Sequence, residues 1–322
     1  MKRTLGVGVM ACANIARRSF IPALLTSEHT HLVAVASRCG KKADEFASRF
    51  DCEAITGYEG LLGRPDIDAI YMPLPTGLHE KWVSRSLKAG KHVLVEKSFS
   101  MDYASAQRMV NLARSSNLLV MENFMFLYHS QLDFVKNLVE SGEIGELRSF
   151  RSSFGFPPLD KNNFRYNKAL GGGALIDAAA YTIRASQLFL GNDLEVKAAN
   201  LVTPQDVEVD IYGGAYLATR AGMFSEVSFG FDNFYQCNYE LWGSRGKLTA
   251  WRAFTAGPGF APTVSVEKQG ERFDHQLGAD NHFVNILTEF VRCIHSGEFE
   301  HKYREIENQA RLLGEVRQLA SV

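Results

Sequence analysis

Cysteine is scarce in this chain, and no two cysteines stand at a spacing typical of a metal or redox site. The 322 residues include five cysteines, Cys12, Cys39, Cys52, Cys237 and Cys293. Their number is odd, their positions are scattered, and no two of them form a C-x-x-C pair. The cysteines therefore indicate neither a disulfide framework nor a zinc site. The histidines show no metal-ligand spacing either. We therefore expect a reducing, cytoplasmic setting and no bound metal.

A strong net charge and long apolar runs are also missing. The formal net charge is -1 at pH 7, which gives no long-range attraction to polyanions, so we expect no nucleic-acid partner. No apolar stretch approaches the ~20 residues of a membrane span, so we expect no membrane partner either. The basic start followed by an apolar run could be interpreted as a secretory leader. Its removal would delete the first strand of a pattern that continues without a break, and we reject that interpretation.

The first part of the chain alternates apolar runs of strand length with amphipathic helical segments. The runs lack polar alternation, which is typical of parallel strands buried on both faces. Strand and helix in alternation predict right-handed crossovers and a doubly wound parallel α/β sheet of the Rossmann type. Ser100 is the predicted N-cap of the last helix in this part, and Gly90 the predicted end of the helix before it. The predicted strands are 5–10, 32–37, 69–74, 92–97 and 118–123, and the predicted helices are 14–25, 41–50, 78–89 and 101–116.

After about residue 124 the pattern changes. A helix at 131–140 leads into 147–156, where polarity alternates with a period of two, as in an antiparallel strand with one solvated face. Because 322 residues exceed the roughly 100–200 of a typical domain, we expect two domains, a Rossmann domain at 1–123 and an α+β domain with a mostly antiparallel open sheet at 124–322. Further predicted strands are 196–201, 211–219, 223–231, 239–243, 247–251 and 263–268, and further predicted helices are 173–190, 281–295 and 304–319.

Small residues fill the turn that follows the first predicted strand. The literal match to the dinucleotide fingerprint G-x-G-x-x-A is at Gly6, Gly8 and Ala11, but its glycines lie inside the strand rather than in the turn. A helix that starts near Asn14 can direct its N–H groups at phosphate. A corner packed with small residues for closeness alone is an equal alternative. The candidate pyrophosphate contacts are Ala11, Cys12, Ala13, Asn14 and Ile15.

The end of the second predicted strand indicates which dinucleotide is bound. Ser37 and Arg38 stand about where an acidic residue would bind the ribose of NAD, and Lys41 and Lys42 follow. A hydroxyl and cations suit a 2'-phosphate, so NADP is favoured over NAD. The alternative is a solvated cluster of charges at the start of a helix.

Short motifs in a fixed order run along nearly the whole chain. Residues 73–79 (PLPTGLH) follow one predicted strand, and Glu96 and Lys97 end the next. With 164–165 (FR), 171–177 (GGGALID), Tyr181 and 241–243 (LWG), they resemble the ordered motifs of the Gfo/Idh/MocA oxidoreductases. Within that family, 121–126 (MENFMF) and Tyr181 are most similar to the nucleotide-sugar 3-ketoreductases of deoxysugar pathways.

The resemblance implies that Lys97 and Tyr181 are the catalytic residues. Lys97 follows an apolar strand, so its ammonium is expected at the carboxyl edge of the sheet, where ligands of open α/β folds bind. A surface lysine paired with Glu96 is the alternative. Tyr181 lies four residues after Asp177, so a helix would direct both side chains to one cleft; alternatively, Asp177 only complements the helix dipole and Tyr181 belongs to the core. The implied substrate contacts are Lys97, Asp177 and Tyr181, with Tyr166 and Asn163 as weaker candidates.

The resemblance also implies cofactor contacts outside the first turn. Glu96 is expected to position the nicotinamide side of the site. His79 shapes the cofactor pocket or is a structural histidine at a helix start, and Tyr58 approaches the adenine or is a surface aromatic. The implied contacts are Tyr58, Pro73, Leu74, Pro75, His79, Glu96, Lys97, Asn123, Arg165 and Asp177.

The chain departs from the family pattern at two places. Ser98 stands where the family's Glu-Lys-Pro motif has proline, so the residue that would stiffen the turn after Lys97 is missing. Ala11 and Ala13 replace family glycines, which is expected to reshape cofactor binding.

These observations predict an NADP(H)-preferring oxidoreductase that moves a hydride between nicotinamide and a sugar-like keto or hydroxyl carbon. Lys97 or Tyr181 would protonate the forming alkoxide. The most specific interpretation is a nucleotide-linked deoxysugar 3-ketoreductase. A dehydrogenase of a free sugar, polyol or cyclic diol, and a non-catalytic NADP-sensing protein, are the alternatives. The resemblance further implies that the second domain pairs with another subunit, in a homodimer or homotetramer.

Overall fold

The computed structural model describes residues 4–321, and these fall into two compact units. The first unit runs up to Phe124 and also takes Phe283–Glu307; the second is Met125–His282 with the residues from Asn308 onward. The boundary near residue 124 lies close to the predicted one. The prediction did not include the return of a C-terminal segment to the first unit.

The first unit contains a six-stranded sheet in which every neighbouring pair of strands is parallel. The strand order is β3-β2-β1-β4-β5-β6, which is the order of a doubly wound Rossmann sheet. The strands are β1 (Leu5–Met10), β2 (Thr30–Ser37), β3 (Glu53–Thr56), β4 (Ala69–Met72), β5 (His92–Glu96) and β6 (Val120–Asn123). The helices are α1 (Ile21–Leu25), α2 (Gly40–Phe50), α3 (Glu59–Leu62), α4 (His79–Lys88) and α5 (Tyr103–Ser116), with a π-helical turn at Ala16–Phe20 and a 3-10 turn at Thr76–Leu78.

The apolar runs of the sequence form the central strands of this sheet. Every residue of β1 and of β4 is buried, as expected of parallel strands covered by helices on both faces. Gly90 has φ 75° just after α4, so the predicted helix end is confirmed. The predicted cap of α5 is wrong by two residues, because the Asp102 carboxylate accepts from the Ser105 N–H at 2.8 Å, while Ser100 donates to the Asp102 carbonyl.

The second unit contains an eight-stranded sheet in the order β14-β13-β12-β11-β7-β10-β9-β8. Its neighbouring strands are antiparallel except for β10 and β7, which run parallel. Its elements are α6 (Ser130–Glu140), β7 (Leu147–Gly155), α7 (Ala180–Leu190), β8 (Glu195–Val202), β9 (Tyr212–Ala218), β10 (Phe224–Gly230), β11 (Gln236–Gly243), β12 (Lys247–Trp251), β13 (Thr263–Lys268) and β14 (Glu271–Gln276). A π-helical turn, Leu175–Ala179, leads directly into α7, and 3-10 turns form at Met125–Tyr128, Phe164–Tyr166 and Lys168–Leu170.

The helix α7 covers one face of this sheet, where Phe150 of β7 stacks on Phe189 at 5.6 Å between ring centroids. The other face is open, and it carries several exposed aromatic side chains. The mostly antiparallel sheet of the second domain is therefore as predicted.

Two helices close the chain, α8 (His282–Ser296) and α9 (Glu300–Leu319). Phe299 packs edge-on against His92 of β5, and the Tyr303 hydroxyl donates to the Leu118 carbonyl at 2.7 Å. These contacts explain why this segment belongs to the first unit. Within the part of the chain that the structure covers, no helix combines the length and the apolar character that crossing a membrane requires.

Candidate active site

The turn after β1 joins a buried strand to a helical segment. Gly6 and Gly8 lie inside β1, and a side chain at Gly6 would collide with the Asp66 carbonyl, so the glycine there serves strand packing. The predicted distinction between strand glycines and turn is confirmed. Ala11 has φ 123°, a conformation that residues with a side chain rarely adopt, and helical structure begins at Asn14. The turn is thus a place where the backbone can approach an anion at a helix start.

Ser37, Arg38 and Tyr58 lie together at the carboxyl end of β2. The Ser37 hydroxyl accepts from the Cys39 N–H at 3.2 Å, and its carbonyl accepts from the Gly57 N–H at 2.8 Å. Burial raises the pKa of Tyr58, while the neighbouring Arg38, with which it hydrogen-bonds, lowers it. Tyr58 is 6% exposed and packs edge-on against Trp82, so the alternative of a surface aromatic is wrong.

Glu96 lies at the centre of a polar group at the ends of β4, β5 and β6. Its Oε1 accepts from the Tyr71 hydroxyl at 2.6 Å and from the Asn123 amide at 2.5 Å. Burial raises the pKa of Glu96, and the two donors and the charge of Lys97 oppose that rise. The Asn123 Oδ1 is buried without a hydrogen-bond partner among the described residues. Such an acceptor fits a ligand that offers an N–H group.

Lys97 follows directly on β5 and is half-buried. The Lys97–Ser98 peptide bond, where the family has proline, is cis. The Phe99 N–H that follows donates to Glu122 Oε1 at 2.8 Å. Lys97 is therefore located at the carboxyl edge of the sheet, as predicted, on a backbone segment held by hydrogen bonds.

His79 links two of the predicted cofactor loops. It is fully buried; its Nε2 lies 2.8 Å from the Leu74 carbonyl, and its Nδ1 lies 3.0 Å from the Ser98 carbonyl and 3.1 Å from that of Phe99. Burial lowers the pKa of His79 against the effect of these carbonyls. Because both ring nitrogens face backbone oxygens, His79 shapes the site and is not placed to abstract a proton.

Arg165, Asp177 and Tyr181 form the corresponding group in the second unit. Arg165 Nε donates to Asp177 Oδ2 at 2.7 Å. Burial lowers the pKa of Arg165, but the charge of Asp177, the hydrogen bond to it and the nearby Tyr181 together outweigh burial, and the pKa is raised. Asp177 thus does more than complement a helix dipole. It lies in the π-helical turn Leu175–Ala179, a form of helix that occurs frequently at functional sites.

The Tyr181 ring lies among apolar side chains of the second unit. It is 5% exposed and contacts Phe154 and Phe254 at 5.0 and 5.7 Å between ring centroids. Its hydroxyl lies 3.9 Å from the Met125 sulfur. The ring is therefore packed among aromatic side chains, and the phenol also lies close enough to Arg165 to act on its pKa.

Two weaker substrate candidates have structural roles. The Tyr166 hydroxyl accepts from the Leu159 N–H at 3.0 Å. The Asn163 side chain accepts from the Arg165 N–H at 3.1 Å and so caps a short helical turn. Both residues shape the loop that carries Arg165.

The structure groups the predicted residues within each unit. Ala11 to Ile15, Ser37, Arg38 and Tyr58 belong to the first unit, as do Pro73, Leu74, Pro75, His79, Glu96, Lys97 and Asn123, while Arg165, Tyr166, Asp177 and Tyr181 belong to the second. That Lys97 and Tyr181 converge on one nicotinamide ring stays a prediction. Sequence reasoning missed Tyr71, Glu122 and Asp210. Tyr71 sits inside an apolar strand, where it gave no polar signal. The Asp210 carboxylate accepts from the Leu175 N–H at 2.6 Å, and the two residues are 35 positions apart in the chain.

One group of side chains in residues 4–321 could hold a metal ion. Its members Glu289, Cys293 and His301 belong to the first unit, and the sulfur lies 4.0 Å from His301 Nε2. Arg292 and Lys302 already pair with the Glu289 carboxylate at 2.6 and 3.2 Å. Two cations thus compete with any metal there, and the absence of a metal stays a prediction.

Comparison with known proteins gives matches over nearly the whole chain. A family model described as "Oxidoreductase family, NAD-binding Rossmann fold" matches residues 5–124, and one described as "GFO/IDH/MocA C-terminal domain" matches 133–249. The dTDP-3,4-didehydro-2,6-dideoxy-alpha-D-glucose 3-reductase of Saccharopolyspora spinosa is 43% identical over 92% of this chain and 90% of its own length. The enzyme of the same name from Actinomadura kijaniata is 43% identical over 97% and 94%.

A solved structure extends the similarity to three dimensions. The crystal structure of KijD10, a 3-ketoreductase from Actinomadura kijaniata in complex with NADP and TDP-benzene, superposes with a TM-score of 0.95 at 42% identity and covers 98% of each chain. The matches include variants of that protein in which a tyrosine is replaced by phenylalanine or a lysine by alanine. With both domains matched and relatives this similar over most of its length, the chain belongs to the Gfo/Idh/MocA oxidoreductases.

Proposed function

We propose that the protein is an NADPH-dependent reductase that converts the 3-keto group of a nucleotide-linked deoxysugar to a hydroxyl. One observation carries this proposal. A chain that is 43% identical over 97% of its length to a dTDP-sugar 3-reductase also has a lysine at the end of β5 and a buried tyrosine beside an Arg–Asp pair. Both residues can give a proton to a carbonyl oxygen, which the reduction requires.

The residues of the first unit fit an NADP cofactor. The turn at Ala11 and the helix start at Asn14 would hold the pyrophosphate. Ser37 and Arg38 would bind the 2'-phosphate, with Tyr58 beside them at the adenosine end. The unpartnered Asn123 Oδ1 would accept from the nicotinamide carboxamide, next to Glu96.

The residues of the chain itself would supply the proton and the orientation. When bound, NADPH supplies a hydride to the keto carbon. Lys97 or Tyr181 gives its proton to the keto oxygen, which becomes the hydroxyl of the product. Arg165 holds Asp177 at 2.7 Å, and we assign Asp177 to orienting the sugar beside Tyr181. Fixed orientation and stabilisation of the developing charge supply most of the acceleration.

A substrate panel tests this proposal. The purified protein is given NADPH and dTDP-3,4-didehydro-2,6-dideoxy-alpha-D-glucose, and NADPH consumption and product mass are measured. In parallel it is given NADP with D-xylose and with a cyclic diol. We expect turnover of the nucleotide-linked sugar to exceed that of the free compounds by at least about 100-fold, because removing a bound nucleotide removes several kcal/mol of binding energy.

Variants and binding separate the possible outcomes. Lys97→Met and Tyr181→Phe are expected to lower kcat by roughly 100-fold or more, whereas NADPH binding by Tyr181→Phe stays as in the unaltered protein. Faster turnover of a free sugar or diol than of the nucleotide-linked sugar would contradict the proposed substrate and identify the free compound as the better one. NADPH binding without turnover on any member of the panel would favour a cofactor sensor.

We further propose that the protein works in the cytoplasm as a homodimer or homotetramer. The open face of the second sheet supports the oligomer. The strand registers place four aromatic residues on this face, Tyr212, Tyr216, Trp242 and Trp251. These four side chains are between 38% and 53% exposed. Exposed aromatic patches of this kind mark protein interfaces. Light scattering of the eluting protein measures the oligomer, and a monomer at micromolar concentration would contradict the proposal.

A further inference from the structure

The helix that carries Asp177 and Tyr181 begins without a cap of its own. The residues before it are Gly171, Gly172 and Gly173, and its N-cap residue Ala174 makes no side-chain hydrogen bond. The first N–H groups of a helix have no partner within the helix, so they need acceptors from elsewhere. The usual Ser, Thr, Asp or Asn at this position is missing.

Asp210, which is remote in sequence, supplies these acceptors. Its backbone carbonyl accepts from the Ala174 N–H at 2.8 Å, and its Oδ2 accepts from the Leu175 N–H at 2.6 Å. A hydrogen bond from a backbone N–H to a carboxylate is stronger than one between neutral groups. One residue therefore caps the helix with both its side chain and its main chain.

Gly173 allows Asp210 to come this close. A Cβ at Gly173 would lie 2.5 Å from Asp210 Oδ1, and the residue has φ 113°, so any side chain would be strained there and would push the carboxylate away. Asp210 is itself fixed, because the next residue, Ile211, donates to the Val202 carbonyl and accepts from the Phe231 N–H. The cap is thus anchored at the end of β8 and just after the end of β10 in the eight-stranded sheet.

The same turn is bound to the Arg165 loop. The Gly173 N–H donates to the Arg165 carbonyl at 3.0 Å, and the Gly173 carbonyl accepts from the Asp177 N–H at 3.0 Å. Arg165 in turn holds Asp177 through its side chain. A shift of residues 173–175 would therefore move Arg165, Asp177 and Tyr181 together.

We propose that Asp210 is a positioning residue for the reduction: it caps the helix from outside and thereby fixes Asp177 and the Tyr181 hydroxyl. The inference rests on the proposed function for its kinetic consequence but not for its structural one. Because Asp210 acts through the helix of the second unit, its loss should lower kcat far more than it weakens cofactor binding, whose proposed pyrophosphate and 2'-phosphate contacts belong to the first unit.

The experiment compares Asp210→Ala and Asp210→Asn with Asp206→Asn. Asp206 is an exposed acid in the same loop, so its variant controls for a lost charge. We expect Asp210→Ala to lower kcat by about 10- to 100-fold, the size of effect seen when supporting contacts of reacting groups are lost. Asp210→Asn, which keeps one acceptor oxygen, should lose less, and Asp206→Asn should retain kcat. The dissociation constant of NADPH should change far less than kcat in each Asp210 variant and should not change in Asp206→Asn.

A merely structural role predicts a different pattern. It would lower the melting temperature and the amount of active protein, with kcat per folded molecule and KM unchanged well below the melting temperature. That result, or wild-type kcat in Asp210→Ala, would overturn the proposal. If Asp210→Ala does not fold, kcat, KM and the melting temperature of Asp210→Asn are compared with those of the unaltered protein, and unchanged kcat overturns the proposal in the same way.

A crystal structure of the variant separates this inference from the proposed function. We expect residues 173–177 and the Tyr181 hydroxyl to be displaced in Asp210→Ala, or in Asp210→Asn if only that variant folds. An unmoved Tyr181 would overturn the inference even if kcat fell. Absence of turnover in the unaltered protein would instead contradict the proposed function, and the displacement would still decide the role of Asp210.

Discussion

Two charged residues, Arg38 at the carboxyl end of β2 and Glu289 on α8, differ in how exposed and how paired their charges are. Arg38 is exposed beside the buried ring of Tyr58, so its guanidinium is available for a ligand. Glu289 is the opposite case, with 19% of its side chain exposed and its carboxylate paired with Arg292 and Lys302. We propose that the first arrangement serves recognition, whereas the ion pairs of the second contribute to stability.

Replacing Arg38 by alanine should weaken NADPH binding and leave NADH binding unchanged. A charge-assisted hydrogen bond to a phosphate contributes about 1.5–3 kcal/mol, which corresponds to roughly 10- to 150-fold in the dissociation constant. Fluorescence titration with both dinucleotides measures this. Arg49→Ala is the matched control, because Arg49 lies at the other end of α2, over the Phe50 ring. Equal weakening for both dinucleotides would contradict a role of Arg38 at the 2'-phosphate.

Glu289→Gln should cost stability at neutral pH but not in acid. Hydrogen bonding from Arg292 is the main cause that lowers the pKa of Glu289 from 4.5 to about 2. Since the folded-state pKa lies below the unfolded one, the stabilisation is complete above about pH 4.5 and is lost as the pH falls toward 2. It amounts to at most about 3 kcal/mol, less after solvent screening.

Urea unfolding of both proteins between pH 7 and pH 2.5 checks this dependence. The difference in the free energy of unfolding between the protein and its Glu289→Gln variant should stay constant from pH 7 to about pH 4.5 and shrink as the pH falls from there toward 2.5. A constant difference over the whole range would mean that the ion pairs are not its source.

At the level of the element, the exposure of a strand's side chains to solvent decides whether the sequence predicts that strand. The central strands β1, β4 and β5 are apolar runs, so they were predicted to within two residues. The edge strands β3 and β14 were not predicted, because β14 is exposed along its whole length and β3 has no buried residue. Tertiary hydrogen bonds hold such strands in place, and they leave no hydrophobic pattern.

The residues of the candidate site could likewise be predicted only where they belong to a sequence pattern. Motif residues such as Lys97 and Tyr181 sit where a strand or helix pattern places them. Asp210 could not be predicted, since its partner N–H groups lie at 174 and 175 and only the folded chain brings them together. The only signal in the sequence was that Ala174, at the N-cap position before Leu175, has no side chain that can accept a hydrogen bond.

The cap of α5 provides a test at this scale. Asp102→Ala should lower the free energy of unfolding by about 1 kcal/mol, because the Ser105 N–H loses its acceptor. Asp102→Asn is the matched control and should cost only a few tenths, since asparagine caps a helix nearly as well. Urea denaturation measures both, and equal losses in the two variants would show that the charge of Asp102, and not its cap, stabilises the helix.

In the molecule as a whole, the two residues proposed as proton donors belong to different units. Lys97 lies on the sheet of the first unit and Tyr181 on the helix of the second. If both act on the proton that the keto oxygen receives, their contributions depend on each other. Residues that function as a unit show strongly non-additive losses when they are removed together.

A double-mutant cycle with Lys97→Met and Tyr181→Phe measures this dependence. We expect each single variant to lose roughly 100-fold or more in kcat and the double variant to lose little beyond the more damaged single one. The cause is that removing either group already interrupts the shared proton transfer. Losses that multiply, so that the double variant falls by the product of the single effects, would show that the lysine and the tyrosine act independently. NADPH titration of all four proteins controls for altered cofactor binding, and variants that no longer bind NADPH are excluded from the cycle.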